Sequence, residues 1–377
     1  MLFGLTDSQQ LMKNSAREFL AAECPSAEVR RLMETETAHD PNLWRKMAEQ
    51  GWMGLPFSDD YGGMGLGMVE MAAVMEEMGR ALVPGPYVSA VTLAGAALAM
   101  AGSEAQKQKY LGPVCRGESV ATLALLEAGA SWDPEAVRMT ATPKGSGYTL
   151  SGQKLFVPDA GVASFLVCAA RSGSELVLAV VDPRAPGVTV TPMPAMDFTR
   201  RLYAVSFANV PIPAEDVLAT GARARAALHH ALDTATVALV AEMVGGMQRI
   251  LEMTVAYAKT RKQFGKPIGQ FQAVQHQCAD MLLLTESSRS AAYYAAWALN
   301  QREPQADVAV SVAKSYASDA YREVGNRGIQ VHGGMGFTWE NDVHLYYRRA
   351  KASEIAFGDA AFHRERIARR VIDQRPD

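Results

Sequence analysis

Two stretches of this 377-residue chain carry residue types suited to holding an anionic ligand. The first is Arg261-Lys-Gln-Phe-Gly-Lys-Pro-Ile-Gly-Gln-Phe-Gln272, in which the planar guanidinium of Arg261 could fork onto a phosphate. The second is Gln330-Val-His-Gly-Gly-Met-Gly-Phe337, where Gly333 and Gly334 let the backbone approach a ligand closely. Each also has an ordinary reading: Arg261 can pair with a surface acid, and a glycine pair can simply turn the chain. A third glycine run, Gly62-Gly-Met-Gly-Leu-Gly67, is a poorer phosphate cradle, because no strand precedes it and no Lys-Ser/Thr follows. It reads better as a tight link between helices. The four cysteines (Cys24, Cys115, Cys168 and Cys278) lie far apart without CxxC or metal-ligand spacing. Reduced, mostly buried thiols are expected, and no metal.

Long helices must position the first two stretches. Over 222–264 apolar residues recur at helical spacing, among them Leu228, Leu232, Leu239, Val240, Met247, Ile250, Leu251 and Val255, with Gly265-Lys-Pro267 as the stop. Residues 271–301 and 306–331 read as two more long helices, and 342–373 as at least one further helix broken at Gly358. Long helices with short links imply an antiparallel bundle, whose broad apolar faces usually bury further area in an oligomer. Residues 1–118 are helical too. Thr6-Asp-Ser-Gln9 forms a capping box ahead of Leu11, Met12, Ala16, Phe19 and Leu20, and Asp40-Pro41 starts another helix. Met68, Met71, Met75 and Met78 read as core filler. Between them, 119–220 shows short β-branched and aromatic runs cut by Gly, Pro and Asp, which suggests a β-barrel or sandwich.

An apolar content of 49%, 20% charged residues and a net charge of −3 describe an ordinary globular protein with no call on nucleic acid or an anionic membrane. The cluster Arg364-Glu-Arg-Ile-Ala-Arg-Arg370 interleaves acids and apolar residues, so it reads as a solvated helix face. No signal peptide is read in Met1-Leu-Phe-Gly-Leu-Thr-Asp7 and no apolar run suits a membrane helix; a cytoplasmic protein is expected.

Along nearly its whole length the chain resembles the acyl-CoA dehydrogenases. Leu5-Thr-Asp-Ser-Gln-Gln10, Pro56-Phe-Ser-Asp-Asp-Tyr-Gly-Gly-Met-Gly-Leu66, Leu150-Ser-Gly-Gln-Lys-Leu-Phe156 and the two stretches above carry the resemblance. It implies a multidomain α+β fold: an N-terminal helical domain (1–118), a middle β-barrel or sandwich domain (119–220) and a C-terminal four-helix bundle (221–377). It implies FAD, an acyl-CoA thioester oxidised between its α and β carbons, and an electron-transferring flavoprotein as acceptor. In such enzymes a carboxylate with raised pKa removes the α-proton and the flavin takes the β-hydride. The flavin is shared between subunits. Arg261, Phe264, Gln330, Gly333 and Gly334 match the contacts that one subunit lends to its neighbour's FAD at the pyrophosphate and adenosine.

The half that serves a subunit's own flavin matches poorly. Where the resemblance places the catalytic glutamate, in Glu354-Ile-Ala-Phe-Gly-Asp359, this chain has Phe357. The family's Trp-Ile-Thr corresponds to Phe156-Val-Pro158, and proline has neither hydroxyl nor N–H to offer a flavin ring. Leu126-Glu-Ala-Gly-Ala-Ser-Trp-Asp133 keeps little beyond Glu127 of the family's Thr-Glu-Pro segment. The pattern resembles the glutamate-lacking subunit of heteromeric members, as in bacterial degradation of steroid side chains. One alternative is an active homo-oligomer with a relocated base. Some members carry theirs on the first bundle helix, at the position of Ala235, which is not acidic; Glu242, two turns on, and Asp359 are the candidates. Asp233, Glu354 and His363 are weaker, His363 reading as a surface residue. A flavin-free scaffold of the same fold is the other alternative.

Overall fold

A computed structural model describes residues 4–373. Two compact units emerge: one combines residues up to 29 with 68–83 and 236 onward, the other 30–67 with 84–235.

The second unit holds α3 (Pro41–Glu49), the second half of α2 (Ser26–Met33), and the short helices α5 (Ala96–Ala101), α6 (Glu104–Gln106) and α7 (Gly112–Cys115) around a sheet. Asp40 caps α3 by accepting from the Asn42 amide at 2.8 Å, with Pro41 at the first turn. The strands are β1 (Ala121–Ala124), β2 (Thr140–Lys144), β3 (Gly147–Pro158), β4 (Phe165–Ser172), β5 (Glu175–Val181), β6 (Val188–Met193), β7 (Leu202–Ile212) and β8 (Val217–Thr220). They join as one eight-stranded sheet in the order β6-β7-β3-β2-β4-β5-β8, with β1 parallel to β4. Alternate residues such as Leu150, Val157, Leu166, Cys168, Val205 and Phe207 build its core. β3 slips register against β7 between Lys154 and Val157, and Phe156, inside that bulge, has φ +53°.

The first unit packs α1 (Asp7–Glu23) and α4 (Met68–Arg80) with the later part of α8 (Gly221–Thr260) and with α9 (Gln272–Gln301), α10 (Ala306–His332), α11 (Val343–Ile355) and α12 (Ala360–Ala368). The Thr6 capping box is present: the Gln9 amide donates to Thr6 Oγ1 at 3.3 Å and the Thr6 amide to Gln9 Oε1 at 2.9 Å. α8 ends at Thr260, earlier than the 222–264 helix read from the sequence. Beyond it β9 (Lys262–Gln263) and β10 (Lys266–Pro267) pair as a small hairpin, turned by Phe264 at φ +51° and Gly265 at φ +78°. Left-handed residues cannot continue a right-handed helix.

α4 and α8 touch backbone to backbone. A Cβ at Gly245 would stand 1.7 Å from the Glu76 carbonyl oxygen, and one at Gly79 only 1.9 Å from that of Glu242. Gly245→Ala should therefore destabilise the protein by about 3 kcal/mol or more, read from the urea midpoint, because neither helix backbone can yield by rotating a side chain. Beside this crossing, buried Glu76 meets Lys13 at 2.5 Å and Arg289 at 3.1 Å, and accepts from the Tyr293 hydroxyl at 2.9 Å. Burial opposes its ionisation, but Lys13 and Arg289 prevail and hold the carboxyl below its usual range.

Cys24, Cys115, Cys168 and Cys278 are all free thiols, and no metal-binding cluster occurs among the described residues. No helix among them is long and apolar enough to cross a membrane. The basic C-terminal cluster is ion-paired on the surface: Arg364 with Asp319, Arg369 with Glu365 at 2.8 Å, and Arg370 with Asp307 at 3.4 Å.

Candidate functional site

The two ligand-suited stretches meet at neighbouring helix ends. Tyr257, in the last turn of α8, stacks on His332, the last residue of α10, with ring centroids 4.5 Å apart. His332 is held from its other side, Nδ1 donating to the Gly328 carbonyl at 2.7 Å. Arg261 follows α8, its amide still bonded to the Tyr257 carbonyl at 2.8 Å. Gln330 is exposed on the last turn of α10, and the Gly333 amide bonds back to its carbonyl. Gly333 takes φ +60°, and a Cβ on Gly333 or Gly334 would meet nothing within 4 Å, so the backbone there faces open space. Phe264 is 92% exposed at the hairpin turn, its ring edge-on to Phe271. Arg261, Gln330 and Phe264 are thus all exposed, as is the backbone at Gly333 and Gly334.

The middle sheet is closed where these helix ends are open. Glu127 is occupied structurally: Lys154, fully buried, donates to it at 2.7 Å, as do the amides of Met139 and Arg138, both at 2.9 Å. Burial works against this carboxylate, yet Lys154 and the two amides keep it below its usual range. Lys154 also donates to the Leu125 carbonyl at 2.9 Å, which ties β3 to the end of β1. The Pro158 carbonyl accepts from Thr122 at 2.6 Å. These two bonds tie the segment that carries Phe156 and Pro158 to β1.

Phe357, which the resemblance sets at the position of the catalytic glutamate, lies in the first unit, on the elbow between α11 and α12. Phe357 is 7% exposed with φ +59°, and Gly358 follows at φ +102°. Neither relocated carboxylate is idle. Glu242 and its partner Arg349 are each 2% exposed; Arg349 donates to the carboxylate and reaches the Val83 carbonyl at 3.4 Å. Asp359 is exposed and caps α12, accepting from the Phe362 amide at 2.8 Å. The Glu354 carboxylate is taken by Arg322 and by Lys351, the latter at 2.6 Å, while Asp233 lies half-buried on α8.

His363 corrects its reading as a surface residue. It is 0% exposed, with Nε2 bonded to the Phe357 carbonyl at 3.0 Å and Nδ1 buried without a hydrogen-bond partner. Basic neighbours on a short helix hid the one face of α12 that packs on α10. Burial first, then the nearby Lys314 and Arg366 cations, push its pKa down to about 3. Sequence reasoning missed Lys314 and Arg349 altogether. Arg349 is hidden in the charged run Arg348-Arg349-Ala-Lys351, which reads as a helix surface, and the small residues around Lys314 (Ala313, Ser315, Ala317 and Ser318) were the available sign of close packing.

Comparison with known proteins decides the lineage. Three family descriptions match in chain order: the acyl-CoA dehydrogenase N-terminal domain over residues 6–118, the middle domain over 122–210 and the C-terminal domain over 225–372. The chain belongs to the acyl-CoA dehydrogenase family. Among its relatives is a probable acyl-CoA dehydrogenase, YngJ, of Bacillus subtilis, 32% identical over 99% of this chain and 100% of the relative. Among solved structures, a chain of the ChsE4-ChsE5 complex from Mycobacterium tuberculosis superposes with TM-score 0.91 at 30% identity, covering 100% of both chains. A chain of the Tcur3481-Tcur3483 steroid acyl-CoA dehydrogenase variant gives TM-score 0.88 at 30% identity, covering 97% of this chain and 98% of that one. Acyl-CoA dehydrogenases are oxidoreductases of CH–CH bonds that use FAD, and the α+β architecture described above is theirs.

The exposed set fits part of that cofactor. The Arg261 guanidinium suits a pyrophosphate, Gln330 can hydrogen-bond an adenosine edge, and Gly333-Gly334 offers backbone at close range.

Proposed function

We propose that this acyl-CoA dehydrogenase is the half-site subunit of a heteromer. It lends Arg261, Phe264, Gln330, Gly333 and Gly334 to an FAD whose flavin ring, acyl-CoA and catalytic base belong to a homologous partner. What supports this reading is that Phe357 stands where the sequence resemblance places the base, while Glu242 is paired with Arg349 and Asp359 caps the start of α12. When bound, FAD supplies the hydride-accepting chemistry. The part assigned to this chain is electrostatic and positional: a fixed positive charge at the pyrophosphate and a shaped edge at the adenosine.

The first unit also leaves Leu282 and Leu283 of α9 exposed, together with Phe337 and Trp339 beyond α10, which a partner's surface could cover. That a structural relative is a two-protein complex, and that another is titled a steroid acyl-CoA dehydrogenase, supports a heteromer acting on a lipid-derived or steroid-derived acyl-CoA. An electron-transferring flavoprotein is the proposed acceptor and the cytoplasm the proposed compartment.

Purified alone, the chain should be colourless and inert towards acyl-CoA. Co-expressed with a homologue carrying the full motif set, it should yield a yellow complex that acyl-CoA bleaches. In that complex Arg261→Ala should weaken FAD retention about 10- to 100-fold, the worth of a charged hydrogen bond. Stoichiometric flavin on the lone chain, with turnover abolished in a folded Glu242→Gln variant, would overturn the proposal in favour of a homo-oligomer with a relocated base.

A further inference from the structure

The elbow between α11 and α12 is held by two side chains that take no part in the site described above. Lys314 of α10 is fully buried and spends all three ammonium hydrogens nearby: on Ser318 Oγ at 2.9 Å, the Glu354 carbonyl at 3.0 Å and the Gly358 carbonyl at 2.8 Å. His363 of α12, equally buried, reaches the carbonyl between them, that of Phe357, at 3.0 Å. The last turn of α11 and, within the elbow, Phe357 and Gly358 are thus gripped by their carbonyl oxygens from two helices. The grip matters because the backbone it fixes is unfavourable. A phenylalanine at φ +59° sits in a region bulky L-residues seldom occupy, at a cost of about 1–3 kcal/mol unless its surroundings enforce it. Gly358 completes the elbow at φ +102°, where a Cβ would lie 2.3 Å from the Phe362 ring, so the position suits glycine alone.

We propose that Lys314 and His363 are positioning residues for the side chain at 357, holding a left-handed backbone that turns this side chain inward whatever residue it is. The elbow is a pre-built socket for an inward-pointing group, occupied here by a phenyl ring. This rests on the preceding reading only for the importance given to position 357, and its test needs no flavin, substrate or partner.

The charged groups around the clamp bound its electrostatics. Glu354 of α11 is taken up with Arg322 and Lys351, Asp359 caps α12, and Arg366 lies beyond His363 on the same helix. Burial pulls the Lys314 ammonium down to about 7, against the opposing pull of Asp359 and then Glu354.

The experiment places a titratable probe in the socket. Stability of Phe357→Glu relative to Phe357→Gln is followed against pH in the full chain by urea unfolding. An inward, desolvated carboxyl should titrate about two pH units above the ordinary glutamate range, so Phe357→Glu should lose stability relative to the glutamine variant as pH rises from about 4.3 to about 6.3 and stay level above that. Adding Lys314→Met to both variants should release the elbow, let the carboxyl reach water and abolish this pH dependence, because a carboxyl that titrates alike in the folded and unfolded states contributes no slope. The direction is decisive, because removing a cation without moving the backbone would extend the loss to higher pH. His363→Leu, which frees the Phe357 carbonyl alone, should abolish the pH dependence in the same way and serves if the lysine variant does not fold. No pH-dependent loss in Phe357→Glu itself, or one that persists or grows in the releasing variants, overturns the proposal.

Discussion

Arg349→Met is expected to lower the unfolding free energy by about 3–5 kcal/mol, as is Glu242→Gln, because each leaves a buried charge without its counter-ion. Both residues are 2% exposed, so water cannot take the place of the missing partner. The double variant Glu242→Gln with Arg349→Met should be far more stable than the sum of the single losses predicts, since removing both charges together also removes their desolvation cost. Urea unfolding of the four proteins at fixed concentration reads the coupling directly. The same cycle bears on function. A carboxylate kept as a base should tolerate Gln with little loss of stability and lose only turnover, whereas one kept as a counter-ion should behave as described here.

The second large effect is acid lability through His363. An unfolded histidine protonates near 6.5, but this one is held down to about 3 by burial, with Lys314 and Arg366 adding to the shift. Between those values the unfolded chain binds a proton that the native state refuses, so stability is intact above about pH 6.5 and falls as the pH drops. The slope is about 1.4 kcal/mol per pH unit, and the sum by pH 3 is about 4–5 kcal/mol. Burial also lowers the pKa of His39 and His332, so His363 must be isolated by difference. His363→Gln keeps a donor towards the Phe357 carbonyl and cannot take up the proton. From pH 7 to 4 its unfolding free energy should fall by about 3 kcal/mol less than that of the wild type. Curves that run parallel would show that His363 titrates normally.

Much of the architecture was legible in the sequence, for reasons that are local. The Thr6 capping box, the Asp40-Pro41 helix start, the long apolar period of α8 and the break at Gly358 each depend on a handful of neighbouring residues. Strands such as β4 and β5 were legible because they are nearly continuous apolar runs, whereas β1, β2 and β8 are only four or five residues long and carry too little pattern to stand out. The end of α8 was placed too late because Arg261-Lys-Gln-Phe264 suits a helix as well as a hairpin, and the left-handed turn at Phe264 and Gly265 decides between them.

For the site, the sequence by itself determined composition: which chemical groups stand at 261, 264, 330, 333 and 334, and that 357 and 158 lack a carboxylate and a hydroxyl. Only the tertiary structure decided what those groups are free to do. It brought the ends of α8 and α10 together through Tyr257 and His332, and it committed Glu242 to Arg349. It also turned His363 from a surface residue into half of the clamp on Phe357. The reason is that a side chain's pKa, partners and exposure are set by residues distant in the chain. Glu242 and Arg349, or Lys314 and Gly358, become neighbours only when helices pack, and no local spacing records which buried cation a given carboxylate or carbonyl will meet.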